Sequence, residues 1–370
     1  METYAFDVLV IGAGIAGATC AAHLSVDHRV ALIEAEEQAG YHTTGRSAAV
    51  WDPNYGLPEI LALTRMSRDF FVSPPAGFAE TPLVSPRLVV YLAPQDQTQA
   101  LDEKLAGNAR LREIGVAKLH EMVPALRPGY AVRAAIEGDA FDMDVAAIHQ
   151  GFLRQLKANA GVLALRSRAG RISRDGGIWN VEVIGGAVFR APIVVNAAGA
   201  WGDEVAAQAG VAKIGLVPKR RTGVIIDPAP FMPADWPMLN DIAHTWYCRP
   251  EARTKLMLSP ADETDDVPHD VQPDELDVAI AVDRMQQALD IEVRRVEHRW
   301  AGLRTFAPDR NFAFGFDAAA EGFMWCVGQG GYGIQTSPAA GRLVADLVSG
   351  RNPGVAENIV TGIDPKRFSP

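Results

Sequence analysis

The chain has 370 residues and a mass of 39.8 kDa, and 48% of its residues are hydrophobic and 22% charged. These values indicate a globular protein with room for two domains, and they exclude disordered, collagen-like and disulfide-scaffold classes. The formal net charge of −10 disfavours binding to nucleic acid, and three isolated cysteines predict neither a disulfide framework nor a metal site. We expect a cytoplasmic protein with no transmembrane segment, so any membrane contact would be peripheral.

The N-terminal segment predicts a βαβ unit. Residues 6–11 are an apolar run with the composition of a buried strand, residues 16–24 have helical composition, and residues 29–34 predict a second strand. A helical pattern follows over residues 57–71, and the prolines at 74, 75 and 82 indicate a domain crossing. The unit is typical of an α/β protein with a doubly wound, Rossmann-like domain.

The middle of the chain predicts that two domains alternate along the sequence. Expected elements are strands at 86–92, 131–137, 161–165, 179–184, 193–196 and 323–327, and helices at 96–107, 110–123, 144–159 and 334–347. Residues 214–227 and 243–258 alternate as strands of a mainly antiparallel sheet, which predicts a second, α+β substrate domain. The expected boundaries are a discontinuous cofactor domain of residues 1–80, 140–213 and 306–370, and a substrate domain of residues 81–139 and 214–305. The acidic stretch 262–275 is expected to be a solvated loop.

The most specific motif is the glycine-rich run Gly12-Ala13-Gly14-Ile15-Ala16-Gly17, which lies between the first predicted strand and helix. Gly12 permits a tight turn, Gly14 lets the backbone approach a pyrophosphate, and Gly17 allows close packing of helix and strand. Glu34 ends the next strand and is suited to accept ribose hydroxyls. This arrangement predicts a dinucleotide site and leaves FAD and NAD open.

Three further backbone-rich segments favour FAD, because a larger cofactor needs more contacts. They are residues 41–49 (YHTTGRSAA), 194–201 (VVNAAGAW) and 328–337 (GQGGYGIQTS). The last segment opens a helix whose N-terminal dipole suits an anionic reduced flavin. The predicted cofactor residues in these segments are Thr44, Gly45, Arg46, Ser47, Ala48, Ala198, Gly199, Trp201, Gly330, Gly331, Tyr332, Gly333, Ile334, Gln335 and Thr336.

Taken together, these motifs resemble those of the flavin-dependent D-amino acid oxidase and glycine oxidase superfamily. The PKRR strand (residues 218–221) and the WAGLR strand (residues 300–304) add to the likeness, which covers nearly the whole chain. Within the superfamily, the resemblance is closest to bacterial D-amino acid dehydrogenases of the D-arginine dehydrogenase type. It implies non-covalent FAD, with Arg46, Ser47 and Ala48 at the pyrophosphate and ring edge.

The resemblance also implies a substrate site. Arg221, Tyr247 and Arg304 would bind the substrate carboxylate, and Tyr55 would close the pocket from a mobile loop. The residue types suit this task, because a guanidinium binds a carboxylate in a bidentate manner and a tyrosine adds a hydroxyl donor. Since neighbouring strand residues point to opposite faces, we expect Arg221 rather than Arg220 to face the pocket.

The implied reaction is oxidative deamination, with hydride passing from the substrate Cα to flavin N5 and water releasing a 2-oxo acid and ammonia. Oxygen or an external carrier such as a quinone would accept the electrons. Two alternatives remain open at this point: a flavin-dependent 2-hydroxy acid dehydrogenase, which needs a base such as histidine, and a non-catalytic flavin-binding redox module.

The prediction of substrate side-chain selectivity rests on a position where this sequence differs from the relatives that oxidise D-arginine. Those proteins place a glutamate shortly after the arginine that matches Arg87, whereas this chain continues Leu88-Val89-Val90. Val50 and Trp51 lie in the loop before Tyr55. These apolar residues predict a preference for neutral or hydrophobic D-amino acids over D-Arg and D-Lys.

Overall fold

The computed structural model describes residues 2–369, which form three β-sheets and nine α-helices. The strands are β1 (Thr3–Ala5), β2 (Val8–Ile11), β3 (Val30–Ile33), β4 (Val50–Trp51), β5 (Val84–Ala93), β6 (Arg112–Ile114), β7 (Arg133–Met143), β8 (Val162–Ala164), β9 (Ala169–Asp175), β10 (Ile178–Val183), β11 (Val188–Ala191), β12 (Ile193–Asn196), β13 (Val217–Ile226), β14 (Met238–Asp241), β15 (Tyr247–Glu251), β16 (Lys255–Ser259), β17 (Thr264–Asp265), β18 (Val296–Phe306), β19 (Ala313–Phe316) and β20 (Phe323–Val327). The helices are α1 (Ile15–Leu24), α2 (Pro58–Val72), α3 (Thr98–Ala106), α4 (Val116–Met122), α5 (Val145–Ala158), α6 (Gly202–Gln208), α7 (Glu275–Ala288), α8 (Gly333–Val348) and α9 (Glu357–Ile363).

A six-stranded sheet in the order β19-β20-β12-β2-β3-β8 forms the centre of the cofactor domain. Its strands are parallel except for the edge strand β19, which pairs antiparallel with β20. Strand β2 is buried along its whole length, as expected for a strand that is covered on both faces. The carboxyl ends of the parallel strands therefore meet at one edge of the sheet.

The two faces of this sheet pack against different elements. Val8 and Val10 pack in one core with helices α1, α5 and α8, whereas Leu9 and Ile11 pack in another with Trp179 of a four-stranded sheet in the order β1-β11-β10-β9. The predicted mixed α/β class is confirmed, but the helix layer that a doubly wound sheet would carry on its second face is replaced mainly by this small sheet. Buried residues alternate with more exposed ones along β10 and β11, so each strand buries one face. This buried face packs against the central sheet in the place of a helix layer.

The second domain contains a ten-stranded, mainly antiparallel sheet in the order β17-β13-β16-β15-β14-β5-β7-β4, with β18 paired to β13 and β6 to β7. One of its faces packs on helices α4 and α7 through residues such as Cys248 and Leu258. The neighbouring residues Tyr247 and Met257 point to the opposite face, which closes over the edge of the cofactor sheet. The substrate residues therefore project from the face that α7 leaves uncovered.

Several elements differ from the prediction, and two of them, β9 and α7, are of ordinary length. Strand β6 lies within the predicted helix 110–123, and the predicted elements do not include β9 and α7. Strand β4 pairs with β7 of the large sheet although the predicted boundaries assign it to the cofactor domain. Elements of two or three residues contain too few positions to show a period, and their pairing is decided by tertiary contacts.

Close packing of α1 against α8 depends on Gly341. A Cβ atom at this position would lie 2.7 Å from Thr19 Cβ and 2.8 Å from the Thr19 carbonyl carbon. We expect Gly341→Ala to lower the free energy of unfolding by about 1–3 kcal/mol, because the two helices must separate. Urea denaturation measures the change. Gly138→Ala is the matched control, since nothing lies within 4 Å of its Cβ position; equal losses for both variants would contradict the packing argument.

Candidate active site

A long cavity lies where the carboxyl ends of β2, β3 and β12 face the large sheet. Its wall is formed by the loops that follow these strands and by the inward face of β13, β15, β16 and β18. The predicted cofactor residues on this wall are Gly12, Gly14, Ile15, Ala16, Glu34, Thr44, Arg46, Ser47, Ala48, Ala198, Gly199, Trp201, Gly330, Gly331, Gly333 and Ile334. Arg221, Tyr247 and Arg304 line the same cavity.

The glycine-rich loop after β2 brings backbone directly to the cavity. Gly12 has a φ of +100°, and a Cβ there would lie 2.6 Å from the Ala197 carbonyl oxygen. Gly14 is the N-cap of α1 and offers no side-chain cap, so the positive end of the helix dipole faces the cavity. This geometry suits the diphosphate of a dinucleotide.

Glu34 is fixed at the end of β3 by two backbone donors. Its Oε2 accepts a hydrogen bond from Ala13 N at 2.7 Å, and its Oε1 accepts one from Glu36 N at 3.0 Å. The carboxylate lines the cavity beside the glycine-rich loop. It is therefore placed to accept hydrogen bonds from the hydroxyls of a ribose.

A second helix N-terminus meets the cavity from the other side. Helix α8 begins at Gly333 without a side-chain cap, and Gly333 and Ile334 lie on the wall. Cβ atoms on Gly330 and Gly331 would meet the Phe306 ring at 2.3 Å and Arg304 Nη1 at 2.9 Å. Two helix N-termini and a side-chain-free stretch on one cavity fit FAD, which has an anionic diphosphate and a flat ring that carries negative charge when reduced. In α1 the Ile15 N–H donates to the Thr44 hydroxyl at 2.9 Å, so the 41–49 segment is tied to this helix end.

The other predicted cofactor residues, Ala13, Gly17, Gly45, Tyr332, Gln335 and Thr336, are not on the cavity wall. Gly17 packs the helix on the loop, because a Cβ there would lie 1.9 Å from the Gly12 carbonyl oxygen. Gly45 allows close packing within the loop of residues 40–48, because a Cβ there would lie 2.7 Å from the Gly40 carbonyl oxygen. Gln335 and Thr336 are buried in the first turn of α8, so they support the wall from behind.

Arg46 differs from its expected role. Its backbone reaches the cavity, but its guanidinium donates to the carbonyl oxygens of Val271 at 3.0 Å and Ala301 at 3.1 Å and pairs with Asp270. The hydrogen bond from Arg46 holds the pKa of Asp270 below its ordinary value. The charge of Arg46 is therefore directed to the acidic stretch rather than to the pyrophosphate.

The acidic stretch 262–275 is not simply a solvated loop; together with the first turn of α7 up to Asp277 it is named the acidic strap here. Asp265 pairs with Lys219, and Arg220 lies 3.1 Å from Asp277 and 3.6 Å from Asp266. The prediction missed this because it considered the acidic stretch and the PKRR strand separately, whereas opposite charges on adjacent segments attract. The strap joins the substrate sheet to the 41–46 loop of the cofactor domain.

Arg304 is the residue that the cavity leaves open for an anion. No carboxylate in the part of the chain that the structure describes lies within 4.0 Å of its guanidinium, and its Nη1 donates to the Tyr55 hydroxyl at 3.5 Å. Burial lowers the pKa of Arg304, but the nearby phenolic groups of Tyr55 and Tyr247 outweigh burial and raise it. Arg304 therefore stays charged and available to a substrate carboxylate.

Tyr247 completes this end of the cavity. Burial raises its pKa, but the positive charges of Arg304 and Arg221 more than offset this effect and hold the pKa below its ordinary value. The phenol is thus a stronger hydrogen-bond donor than an isolated tyrosine. A carboxylate on Arg304 would accept this bond.

Arg221 lies on the wall and Arg220 does not. The Arg221 guanidinium is nevertheless occupied by the acidic strap: its Nε donates to the Asp262 carbonyl oxygen at 2.8 Å, and its Nη2 lies 3.3 Å from Glu263 Oε1. Arg221 therefore contributes positive field to the pocket, whereas Arg304 carries the free hydrogen-bonding edge.

The residues used to predict side-chain selectivity do not reach the cavity. Trp51 is buried in the core, where its indole donates to the Thr64 carbonyl oxygen at 3.1 Å, and Leu88 is 42% exposed. Val50 and Val89 belong to a separate cluster. The short strand β4 and the bulge between Arg87 and Val89 turn this region away from the pocket.

Several wall residues were not predicted, including Met257, Trp300 and Gly223. Strand alternation from Arg221 would have indicated Gly223. A Cβ atom on Gly223 would lie 2.5 Å from the Trp300 ring, so glycine leaves room for this ring. Trp300 in turn donates its indole N–H to the Arg46 carbonyl oxygen at 2.9 Å. Met257 depends on the fold of the β15–β16 hairpin, which local sequence does not determine.

The described cysteines do not line the cavity, and the histidine on its wall is His42, whose Nε2 lies 3.2 Å from Glu36 Oε1. Cys20, Cys248 and Cys326 are buried and free, and burial raises the pKa of Cys326 to about 12. Within residues 2–369 no three His, Cys, Asp or Glu side chains are grouped to hold a metal ion. Among those same residues, no helix has the length and apolar character needed to cross a membrane.

The bond between Arg46 and Asp270 gives a test of the acidic strap. We expect Asp270→Asn to raise the dissociation constant of FAD by less than about fivefold, because a half-exposed ion pair contributes up to about 1 kcal/mol. Fluorescence titration of the apoprotein measures this. Asp283→Asn on the exposed side of α7 is the control. If Asp270 competes with the cofactor for Arg46, the variant will instead bind FAD more tightly.

The comparisons with known proteins agree with this geometry. The family described as FAD dependent oxidoreductase (DAO) matches residues 7–347. Glycine oxidase from Pseudomonas aeruginosa is 26% identical over 380 aligned positions that cover 98% of each chain, and glycine oxidase from Pseudomonas putida is 24% identical over the same coverage.

Solved structures share the fold over nearly the whole chain. Glycine oxidase from Geobacillus kaustophilus has a TM-score of 0.85 at 19% identity and covers 98% of this chain and 99% of its own. L-proline dehydrogenase from P. horikoshii has a TM-score of 0.83 at 19% identity and covers 100% and 98%. At these identities the likeness shows a common fold.

Proposed function

Because the chain belongs to the FAD dependent oxidoreductase (DAO) family, its cofactor is FAD, and we propose that it oxidatively deaminates D-amino acids to 2-oxo acids and ammonia. Neutral or hydrophobic side chains are proposed to be preferred over cationic ones. An amino-acid substrate is consistent with the glycine oxidases that are similar to the chain. The D configuration is proposed from the sequence resemblance.

The observation that carries the proposal is the unpaired guanidinium of Arg304 on the cavity wall. It would bind the substrate carboxylate, with Tyr247 of the same wall as a second donor. Tyr55 does not line the described cavity, but its hydroxyl contacts the Arg304 guanidinium. Bound FAD supplies the two-electron acceptor for the Cα–H bond. The chain's part is to fix the substrate by its carboxylate, so that the Cα takes one orientation.

The preference for neutral side chains rests on where carboxylates lie. The carboxylates on the cavity wall belong to Glu34, Glu36 and Glu204, which are all in the cofactor domain. The substrate end instead presents Met257 and Trp300. A cationic side chain would be desolvated there without a partner, which costs free energy.

Amine oxidation is favoured over 2-hydroxy acid oxidation by the lack of a base near Arg304. Among the residues that form the described wall, His42 is the histidine, and its Nε2 contacts Glu36 at 3.2 Å in the cofactor domain. A hydroxy acid needs a base for its hydroxyl proton, whereas an amine reacts once it is neutral. Non-covalent attachment of FAD, an oxygen or quinone acceptor and a cytoplasmic location complete the proposal.

A substrate panel tests the reaction directly. The holoenzyme is mixed anaerobically with D-alanine, D-leucine, D-arginine, their L-enantiomers, glycine and lactate, and the visible flavin band is followed. We expect fastest bleaching by the neutral D-amino acids, and readmitted air then separates oxygen from other acceptors. Bleaching by D-arginine or an L-amino acid above all others would refute the selectivity, and bleaching by lactate alone would refute the amine reaction.

Arg304→Lys tests the carboxylate site. We expect kcat/KM to fall about 10- to 100-fold, because lysine keeps the charge but loses the planar two-donor edge. Steady-state kinetics with the best amino acid measures this. Arg299→Lys on the same strand, which pairs with the exposed Glu275, is the matched control and should retain the wild-type value. If the two variants change kcat/KM by the same factor, Arg304 does not bind the substrate carboxylate.

A further inference from the structure

The segment between β4 and α2, residues 52–57, carries Tyr55 and is named the Tyr55 loop here. Tyr55 is held 3.5 Å from Arg304 Nη1 by its hydroxyl, and its ring lies 4.7 Å from the Tyr332 ring, centroid to centroid. Neither contact is strong enough to fix a loop, since the hydrogen bond is long and the rings are tilted. The position of Tyr55 must therefore be set elsewhere.

Asp52 supplies the first attachment. Its carboxylate is 8% exposed and accepts hydrogen bonds from Asn54 N at 2.8 Å and from the Tyr91 hydroxyl at 2.9 Å. The bond to Asn54 closes an Asx turn around Pro53 that sets the direction of the chain into Tyr55. The bond from Tyr91 ties this turn to β5 of the substrate sheet.

Gln335 attaches the loop from the cofactor side. Its Oε1 accepts a hydrogen bond from Asp52 N, and its Nε2 donates to the Tyr55 carbonyl oxygen, both at 3.3 Å. Gln335 follows Gly333 and Ile334, which line the cavity. The first residue of the Asx turn and the residue that follows the turn are therefore both hydrogen-bonded to α8, the helix whose N-terminus lines the cavity.

A second buried carboxylate contacts the same loop. Glu137 of β7 is 1% exposed and accepts hydrogen bonds from the Asn54 side-chain amide and from Asp139 N. In the described part of the chain, no Lys, Arg or His nitrogen lies within 4.0 Å of either Asp52 or Glu137. Buried carboxylates without an ion-pair partner are costly. The positive charge of Lys104 acts on Asp52 from a longer distance, and the element that both carboxylates contact is the Tyr55 loop.

We propose that Asp52 is a positioning residue that fixes the Tyr55 hydroxyl opposite Arg304, so that the substrate carboxylate meets a preorganised pair of donors. The proposal rests on the proposed function for the identity of the substrate. Asp52 itself does not line the cavity. Its effect passes through the Asx turn to Tyr55, and the bond from Tyr91 holds the carboxylate in the rotamer that the turn requires.

The test compares Asp52→Asn with the wild-type holoenzyme. The amide keeps one acceptor oxygen for Asn54 N but presents an N–H donor to Tyr91, so the Tyr91 hydroxyl must turn to accept and both bonds lose the strength that a carboxylate gives them. We expect KM for the best amino acid to rise about 5- to 30-fold while kcat changes less than twofold. Tyr91→Phe should shift KM in the same direction by a smaller factor. A change confined to kcat, or no change in KM, would overturn the proposal.

A double variant separates positioning from general damage. In a Tyr55→Ala background the Asp52→Asn substitution should have no further effect on KM, since the group that it positions is gone. Full additivity of the two effects would overturn the proposal. Ser67→Ala is the matched control, because the Ser67 hydroxyl also ties α2 to α8 through Ala339 N but does not touch the Tyr55 loop. It should lower the unfolding temperature without raising KM.

A readout without turnover distinguishes this proposal from the proposed function. Benzoate serves as a carboxylate probe, and its dissociation constant is measured from the change in the flavin spectrum. We expect Asp52→Asn to weaken benzoate about 5- to 30-fold, again only when Tyr55 is present. If the wild type oxidises no amino acid but benzoate behaves as stated, the function fails and the positioning stands. If amino acids are oxidised but benzoate binding is unchanged, the positioning fails.

Discussion

The common direction of five adjacent strands is the constraint on which the rest of this structure depends. Because β20, β12, β2, β3 and β8 are parallel, the chain leaves each of them at the same edge of the sheet. The loops that follow these strands bring Gly12, Glu34 and Ala198 to one cavity. One edge of the sheet therefore presents both the N-terminus of α1 and the Glu34 carboxylate to one dinucleotide.

The substrate sheet completes the cavity through the period of its strands. One face of β15 and β16 packs on α7 with Cys248 and Leu258, which leaves Tyr247 and Met257 for the cavity. The apolar contacts with the helix thus determine which residues are presented to the substrate. Core packing occupies one face of these strands, which leaves the other face to line the cavity.

The sequence was most informative where function requires glycine. Gly12, Gly14 and Gly330 could be placed at the cavity because a side chain at each would collide or prevent a close approach. The α/β class and the antiparallel second sheet followed from periodicity. Charge partners were harder to predict: Arg46 has the right position for a pyrophosphate contact, but its guanidinium is bound by Asp270, which lies 224 residues further along. The selectivity residues Leu88 and Trp51 failed for the same reason, since their distance from the pocket depends on a bulge and on a two-residue strand.

The segments that form the cofactor cavity also place a limit on how this protein is made. The glycine-rich loop precedes β12, the acidic strap and the N-terminus of α8 at Gly333 along the chain, yet its cavity needs all of these segments. Contacts between such distant segments form late, because closing a long loop costs entropy before any contact stabilises it. The cavity that would enclose FAD is therefore complete only when the N-terminus of α8 has joined the βαβ unit.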